Sequence, residues 1–160
     1  MGKVNITHVA VVATDLQESI DWYTDLFGAE NVAPIPSMKL SSSAAWLKIG
    51  EIGLHLAQWP ERSSVGVNHF GIGVTDPILF HSIYEKATKN AYFDDRLGSH
   101  IYEIPSGEVQ MFMLDPSGNI VEVDFPDAGQ IDRSIVDHLP RVVDVFHPQP
   151  ERAAEGRLFP

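Results

Sequence analysis

The hydrophobic pattern of the chain changes its period several times, and each change separates a strand from a helix. Val4–Ala13 is rich in β-branched apolar residues and predicts a first strand. Thr14 and Gln17 then form a capping-box pattern for a helix that Gly28 should end. Inside this helix, apolar side chains recur at helical spacing: Leu16, Ile20, Tyr23, Leu26 and Phe27. Three shorter strands are predicted next, near Asn31–Ile35, Ala44–Ile49 and Ile52–Gln58.

The same order of elements restarts after Val67. His8–Asp15 and His69–Asp76 align at an offset of 61 residues, and so do Tyr23 and Tyr84. The second copy should contain a helix and three strands: Pro77–Lys89, then His100–Ile104, Glu108–Leu114 and Ile120–Phe125. We therefore predict one α+β domain over residues 1–126, built from two βαβββ repeats at about 4–58 and 66–126.

Residues 127–160 differ from both repeats because they are rich in proline. We expect a tail that packs on the domain or on a partner subunit, with a short helix near Ile131–Leu139. A single module of this kind also leaves a sheet edge to cover. The tail and this edge together predict a homodimer.

Composition narrows the classes of function. The net charge of −11 argues against nucleic acid or an anionic membrane surface as partner, and no apolar run is long enough to span a membrane. The absence of cysteine excludes thiolate metal ligands and a cysteine nucleophile. The first residues lack the charged and apolar regions of a signal peptide, so we expect a cytoplasmic protein that acts on a small molecule.

The strand alternation places histidines on faces lined by small residues. His8 shares a face with Ala10 and Val12, and His69 shares one with Gly71 and Gly73, which predicts room for a ligand. In the last strand of each repeat, His55 and Glu122 occupy equivalent positions. A single strand histidine is more often structural, and a strand glutamate is often a solvated edge residue. Two imidazoles with one carboxylate nevertheless suit non-haem Fe(II), whereas a fourth ligand would favour Zn, Ni or Mn.

Glu122 follows a strand and a tight turn, Met111–Leu114 and Asp115-Pro116-Ser117-Gly118-Asn119. With the duplication and the two His-initiated strands, this motif resembles the glyoxalase/bleomycin-resistance/extradiol-dioxygenase superfamily over about residues 4–126. The resemblance implies the vicinal oxygen chelate fold, in which the two βαβββ repeats form a curved eight-stranded sheet around a metal site.

The resemblance also implies roles for individual residues. The metal ligands of the superfamily fall at His8, His69 and Glu122. His55 stands where glyoxalases and epimerases commonly have a fourth ligand and where extradiol dioxygenases have a histidine that does not bind the metal. The second catalytic histidine of the dioxygenases falls at His100. Phe112 replaces the tyrosine of their signature, and Tyr102 is a candidate substitute for that phenol.

Three functions follow from this resemblance. The first is an extradiol-type dioxygenase acting on a small catechol or vicinal diol, with Fe(II) favoured and Mn, Zn or Ni as alternatives. His55, His100 and Tyr102 would then be its catalytic residues. The second is a glyoxalase- or epimerase-like lyase or isomerase, in which His55 would bind the metal. The third is a non-catalytic resistance-type binding protein, which would not need His8, His69 and Glu122 together.

Overall fold

The structure, a computed structural model, describes residues 6–32, 44–64, 66–96 and 98–145. The chain forms two compact units. The first consists of Met1–Val67 with Asp115–Asn119, and the second of Asn68–Leu114 with Ile120–Pro160. No helix among the described residues has the length and apolarity needed to cross a bilayer.

The first unit is a four-stranded sheet with one helix. Its elements are β1 (His8–Ala13), α1 (Leu16–Phe27), β2 (Glu30–Asn31), β3 (Ala44–Ile49) and β4 (Ile52–Gln58), with strand order β1-β4-β3-β2. β1 runs parallel to β4, and the other pairs are antiparallel. The strand predicted near Asn31–Ile35 is present as the short β2, and its predicted part beyond Val32 lies outside the described residues.

The second unit repeats this plan. Its elements are β5 (His69–Gly73), α2 (Pro77–Asn90), β6 (Ile101–Glu103), β7 (Val109–Leu114) and β8 (Ile120–Phe125), with strand order β5-β8-β7-β6. A 3-10 turn, Ala128–Gln130, and a short helix α3, Val142–Val145, follow. The eight strands therefore form two four-stranded mixed sheets, and the predicted duplication of βαβββ is confirmed.

Helix α2 packs on one face of the second sheet. Phe80 of α2 contacts Phe125 of β8, with ring centroids 4.9 Å apart. The residues that alternate with Glu122 on β8 and their partners on β7 are fully buried on this face: Val109, Met111, Met113, Val121, Val123 and Phe125. Burial of each such side chain contributes about 1.5–3 kcal/mol, so this layer is an important part of the hydrophobic core of the unit.

The N-cap of α1 is Asp15, and the Thr14 capping box predicted from the sequence is wrong. The Asp15 carboxylate accepts from the Glu18 amide at 3.0 Å, which also places a negative charge at the positive end of the helix. The Thr14 amide donates to the Ser117 hydroxyl at 2.8 Å, and the Thr14 hydroxyl lies 3.2 Å from the same oxygen. Ser117 thus contacts both the backbone amide and the hydroxyl group of Thr14.

The helix predicted near Ile131–Leu139 is also wrong, because this segment contains only a turn at residues 133–135. The Asp132 carboxylate accepts from the Ser134 amide at 2.8 Å and from its hydroxyl at 2.7 Å. Local bonds of this kind compete with helix formation. The Asp132 amide donates to His81 Nε2 of α2 at 2.9 Å, and Val136 is fully buried, so the segment is held against the second unit.

In the first unit, the Asp115 carboxylate is buried and accepts four hydrogen bonds. They come from the Tyr23 hydroxyl at 2.9 Å, the Ser117 amide at 3.0 Å, and the Asn119 amide and side-chain Nδ2 at 2.8 and 2.7 Å. Burial raises the pKa of Asp115, and these donors oppose that shift. Asn119 Nδ2 also donates to the Val12 carbonyl at 2.7 Å, which ties the turn to β1.

We predict that Tyr23→Phe destabilises the protein by about 1.5–3 kcal/mol, because it removes a hydrogen bond to a buried carboxylate. Urea unfolding of both proteins measures the difference. Tyr84→Phe is the matched control: Tyr84 is equivalent in the second repeat and makes no hydrogen bond through its hydroxyl to the described residues. Equal losses in the two variants would contradict the assignment.

Candidate metal centre

His69 and Glu122 meet on the face of the second sheet that lies opposite α2. β5 and β8 pair in parallel, with Gly71 opposite Glu122 and His69 one pleat away opposite Ile120. His69 Nε2 lies 2.6 Å from Glu122 Oε2. Glu122 is only 5% exposed, whereas the His69 side chain is 39% exposed. The pair therefore joins a buried carboxyl group to an imidazole that is partly exposed.

Two further polar side chains, Gln110 and Asp124, lie beside Glu122, and neither was predicted as a site residue from the sequence. Gln110 of β7 donates its amide to Glu122 Oε1. Asp124 follows Glu122 on the same face of β8 and pairs with Gln110 across the strands. Two sequence features could have identified them. Asp124 lies two residues after Glu122 and so shares its strand face, and Gln110 lies on the preceding strand of the predicted hairpin.

Gly71 of β5 has a different role from the one predicted. A Cβ atom at Gly71 would lie 2.7 Å from Asp124 Oδ2. The space above Gly71 is therefore filled by the Asp124 carboxyl group instead of being open to a ligand. Small residues on β5 allow a second acidic side chain to pack beside Glu122.

Glu122 affects the protonation of Asp124. Burial, followed by the hydrogen bond to Glu122 and its charge, raises the pKa of Asp124 to about 8. A hydrogen bond from Gln110 opposes this shift. Two carboxyl groups this close share a proton more readily than they carry two negative charges. At neutral pH we therefore expect Asp124 to be mainly protonated.

In the first unit, His8 and His55 lie on one face around Trp46. The Trp46 and His55 rings stack with centroids 4.5 Å apart, and His8 meets Trp46 edge-on at 5.2 Å. Gly53 allows this approach, since a Cβ atom there would lie 3.3 Å from the His8 Cβ. His8 Nδ1 lies 3.2 Å from the Thr7 hydroxyl, which leaves Nε2 for another partner.

The His55 ring is held by stacking, but one of its nitrogens is not satisfied. His55 Nε2 is buried and has no hydrogen-bond partner among the described residues. A buried nitrogen without a partner costs free energy, so such an atom points to a ligand, a water molecule or a proton-transfer role.

The structure does not bring His100 to Glu122. The His100 ring stacks on Phe93 with centroids 3.8 Å apart and lies 6.1 Å from Tyr84 of α2. Phe93 pairs with Met113, a residue of the face that packs against α2. His100 therefore lies in the layer on the helix side of the sheet, and Glu122 lies on the other side.

Asp95 and Ser99 contact the side chains of His100 and Tyr102, which lie on opposite faces of the second sheet. Tyr102 pairs with Gln110 across β6 and β7, so it lies on the face that carries Glu122. His100 Nδ1 lies 2.8 Å from Asp95 Oδ1, and its Nε2 is buried without a partner among the described residues. The Tyr102 hydroxyl accepts from the Ser99 amide at 2.7 Å. Tyr102 is 2% exposed and packs in a cluster with Phe112 and Ile120, and burial raises its pKa.

His69 and Glu122 fit a metal as two neighbouring ligands. Ligand atoms about 2.1 Å from one metal lie roughly 3 Å apart, close to the 2.6 Å between His69 Nε2 and Glu122 Oε2. Imidazole nitrogen with carboxylate oxygen suits Fe, Mn, Ni and Zn. The described residues contain no group of three or more histidine, cysteine or acidic side chains arranged to hold a metal. The third ligand, His8, belongs to the first unit and stays a prediction of the sequence.

We predict that Gly71→Ala destabilises the protein by about 1–3 kcal/mol, because the added methyl group overlaps the Asp124 carboxyl group. In an Asp124→Ala background the same change should cost much less, because the overlapping group is gone. A double-mutant cycle measured by urea unfolding tests this coupling. The same cost in both backgrounds would show that Asp124 does not limit the space above Gly71.

The chain is also similar to known proteins. It is 29% identical over 109 residues to ubiquinol oxidase subunit 2 of Acetobacter aceti, a match that covers 68% of this chain and 32% of that protein. The chain thus spans about a third of the length of this curated relative.

Two solved structures share its fold at low sequence identity. Lactoylglutathione lyase from Agrobacterium tumefaciens has a TM-score of 0.57 and 21% identity, covering 78% of this chain and 96% of that one. A variant of the fosfomycin resistance protein FosX from Listeria monocytogenes, complexed with Mn(II) and dihydroxypropylphosphonic acid, has a TM-score of 0.56 and 12% identity. That match covers 79% of this chain and 95% of the other.

The family match covers both repeats. Residues 5–123 match the family model described as Glyoxalase/Bleomycin resistance protein/Dioxygenase superfamily. This range includes the two His-initiated strands, both helices and the β8 glutamate. The resemblance inferred from the motifs is therefore confirmed, and the chain belongs to the Glyoxalase/Bleomycin resistance protein/Dioxygenase superfamily.

Proposed function

We propose that this protein is a metal-dependent enzyme that acts on a small molecule with two adjacent oxygen atoms. The convergence of His69 Nε2 and Glu122 Oε2 within 2.6 Å is the observation that carries the proposal. Burying a carboxylate beside a partly exposed imidazole costs folding free energy, which a sheet with only a structural role would have no reason to lose.

The residues proposed to hold the metal are His69, Glu122 and, as the resemblance implies, His8. Fe(II) is the favoured ion, with Mn, Zn and Ni as alternatives. A bound divalent ion would lower the pKa of a substrate hydroxyl group that it contacts. Glu122 and His69 keep their donor atoms oriented through contacts within the second unit, so little ordering remains to be done when the ion binds.

His55 is proposed to move a proton during the reaction. Stacking on Trp46 fixes its ring, and its buried Nε2 has no partner among the described residues. A positioned imidazole of this kind can accept a proton from a substrate hydroxyl group and return it later. Trp46 also offers an aromatic surface beside His8 and His55 for a planar substrate.

Extradiol-type cleavage of a small catechol or vicinal diol is the first candidate reaction. It is supported by the Asp115–Glu122 signature and by a donor set that suits Fe(II). The reaction needs O₂ as a second substrate, and His55 would serve as its acid or base.

A glyoxalase- or epimerase-like lyase or isomerase reaction is the second candidate, and the position of His100 favours it. The ring-cleaving proposal uses His100 beside the metal, whereas its ring packs against Phe93 and Tyr84 on the helix side of the sheet. In this second reaction His55 would bind the metal, and no role for His100 is required. The homodimer and the cytoplasmic location stay predictions of the sequence.

We predict about one divalent ion per chain, and most of it should be lost in His69→Ala and in Glu122→Ala, because each removes a ligand. Protein purified anaerobically and reconstituted with Fe(II), then analysed by inductively coupled plasma mass spectrometry, gives the ratio. His8→Ala should have the same effect if His8 is the third ligand. The matched control is His138→Ala, since His138 is exposed. A Glu122→Ala protein with full metal content would refute the proposed centre.

A His55→Gln variant should separate the two candidate reactions. If His55 only transfers protons, the variant keeps its metal while oxygen uptake with a catechol panel falls roughly 10²–10⁴-fold. If His55 binds the metal, the variant loses much of the metal, and the wild type shows no oxygen uptake. An oxygen electrode and metal analysis on the same samples give both readings. His138→Ala again serves as the control and should match the wild type in each.

A further inference from the structure

Gln110 stands between the two acidic side chains of β8. It lies on β7 directly opposite Asp124, and its side-chain amide donates to Glu122 Oε1. One uncharged side chain therefore donates to Glu122 and lies across the strands from Asp124.

We propose that Gln110 is a positioning residue that holds the Glu122 carboxylate so that Oε2 alone is directed at the metal. The inference rests on the proposed function and extends it by assigning a role to a residue that would not touch the metal. An ionised carboxylate has two oxygen atoms, and either or both can bind a cation. Oε1 is occupied by the Gln110 amide, and Oε2 faces His69 Nε2.

The chemistry of an amide suits this position better than that of a cationic side chain. Glu122 and Asp124 are two residues apart on one strand face, so they repel each other whenever both are ionised. A lysine or arginine at residue 110 would neutralise them, but it would also place a positive charge beside the cation. A glutamine supplies N–H donors and no charge, and Gln110 is half-buried, where a hydrogen bond to a carboxylate is strong.

Loss of this restraint should weaken metal binding without removing a ligand. Glu122 would then be able to rotate, or to bind the ion through both oxygen atoms. Residues that orient metal ligands typically contribute 10–100-fold to metal affinity. The same loss should change how the ion is coordinated, which a purely structural role for Gln110 would leave unchanged.

The experiment is a titration of the protein with Co²⁺ alone, monitored by calorimetry and by visible absorption. Gln110→Met keeps the length and shape of the side chain but removes its donors, and it should bind Co²⁺ about 10–100-fold more weakly with an altered spectrum. Gln110→Asn should do the same, because the shorter amide cannot reach Glu122. The Tm and the circular dichroism of each variant show whether it is folded.

Gln130→Met is the matched control. Gln130 donates to a carboxylate in the same way, to Asp127 Oδ2 at 3.0 Å, but it is exposed and lies in the 3-10 turn that follows β8. It should bind Co²⁺ as the wild type does.

The outcomes separate this inference from the proposed function. Wild-type affinity and an unchanged spectrum in folded Gln110→Met or Gln110→Asn would overturn the positioning role. Failure of the wild type to bind Co²⁺, or normal binding by Glu122→Ala, would instead overturn the metal centre itself.

Discussion

The second unit depends on satisfying one carboxyl group that is buried inside a β-sheet. Glu122 is 5% exposed, and a carboxyl group at that depth without partners would destabilise the fold. His69 and Gln110 prevent this, because each contacts one oxygen of Glu122 through a side-chain nitrogen. The donor atoms of the proposed centre are therefore arranged before any ion or substrate binds.

A similar constraint shapes the first unit, where Asp115 is buried with four donors around it. The two carboxyl groups differ in the kind of partner that contacts their oxygen atoms. Asp115 is surrounded by donors from Tyr23, Ser117 and Asn119, and these join the turn to α1 and β1. Glu122 instead contacts an imidazole that is partly exposed, which no donor to Asp115 provides. Asp115 is therefore structural, and Glu122 is the candidate for chemistry.

The positions of the other histidines decide how the proposed reactions are weighed. His8 and His55 lie around Trp46 with one nitrogen each left for a partner, as a ligand or a proton-transfer group requires. His100 carries an equally unsatisfied nitrogen, but it lies on the helix side of its sheet against Phe93. An imidazole nitrogen without a partner therefore does not by itself identify a residue of the proposed metal centre. The sheet face on which the imidazole lies must also be considered.

The sequence by itself determined the duplication, both helices and the common face of His69 and Glu122. These follow from local rules: the period of the apolar residues fixes the element, and alternation along a strand fixes the face. The helix predicted at Pro77–Lys89 runs from Pro77 to Asn90 in the structure, one residue beyond the predicted end. Where a residue stands inside a regular strand, its neighbours in sequence are enough to orient it.

Only the tertiary structure decided the features that depend on residues remote in sequence. Asp15 caps helix α1 instead of Thr14, because the amide and hydroxyl groups of Thr14 contact Ser117. His100 precedes β6, where alternation no longer fixes a face, and its stacking on Phe93 sets its direction. The partnership of Gln110 with Glu122 and Asp124 requires the register of β7 on β8, and the packing of Asp124 over Gly71 requires that of β5 on β8. Strand register is a property of the folded sheet, so no local pattern in the chain could supply it.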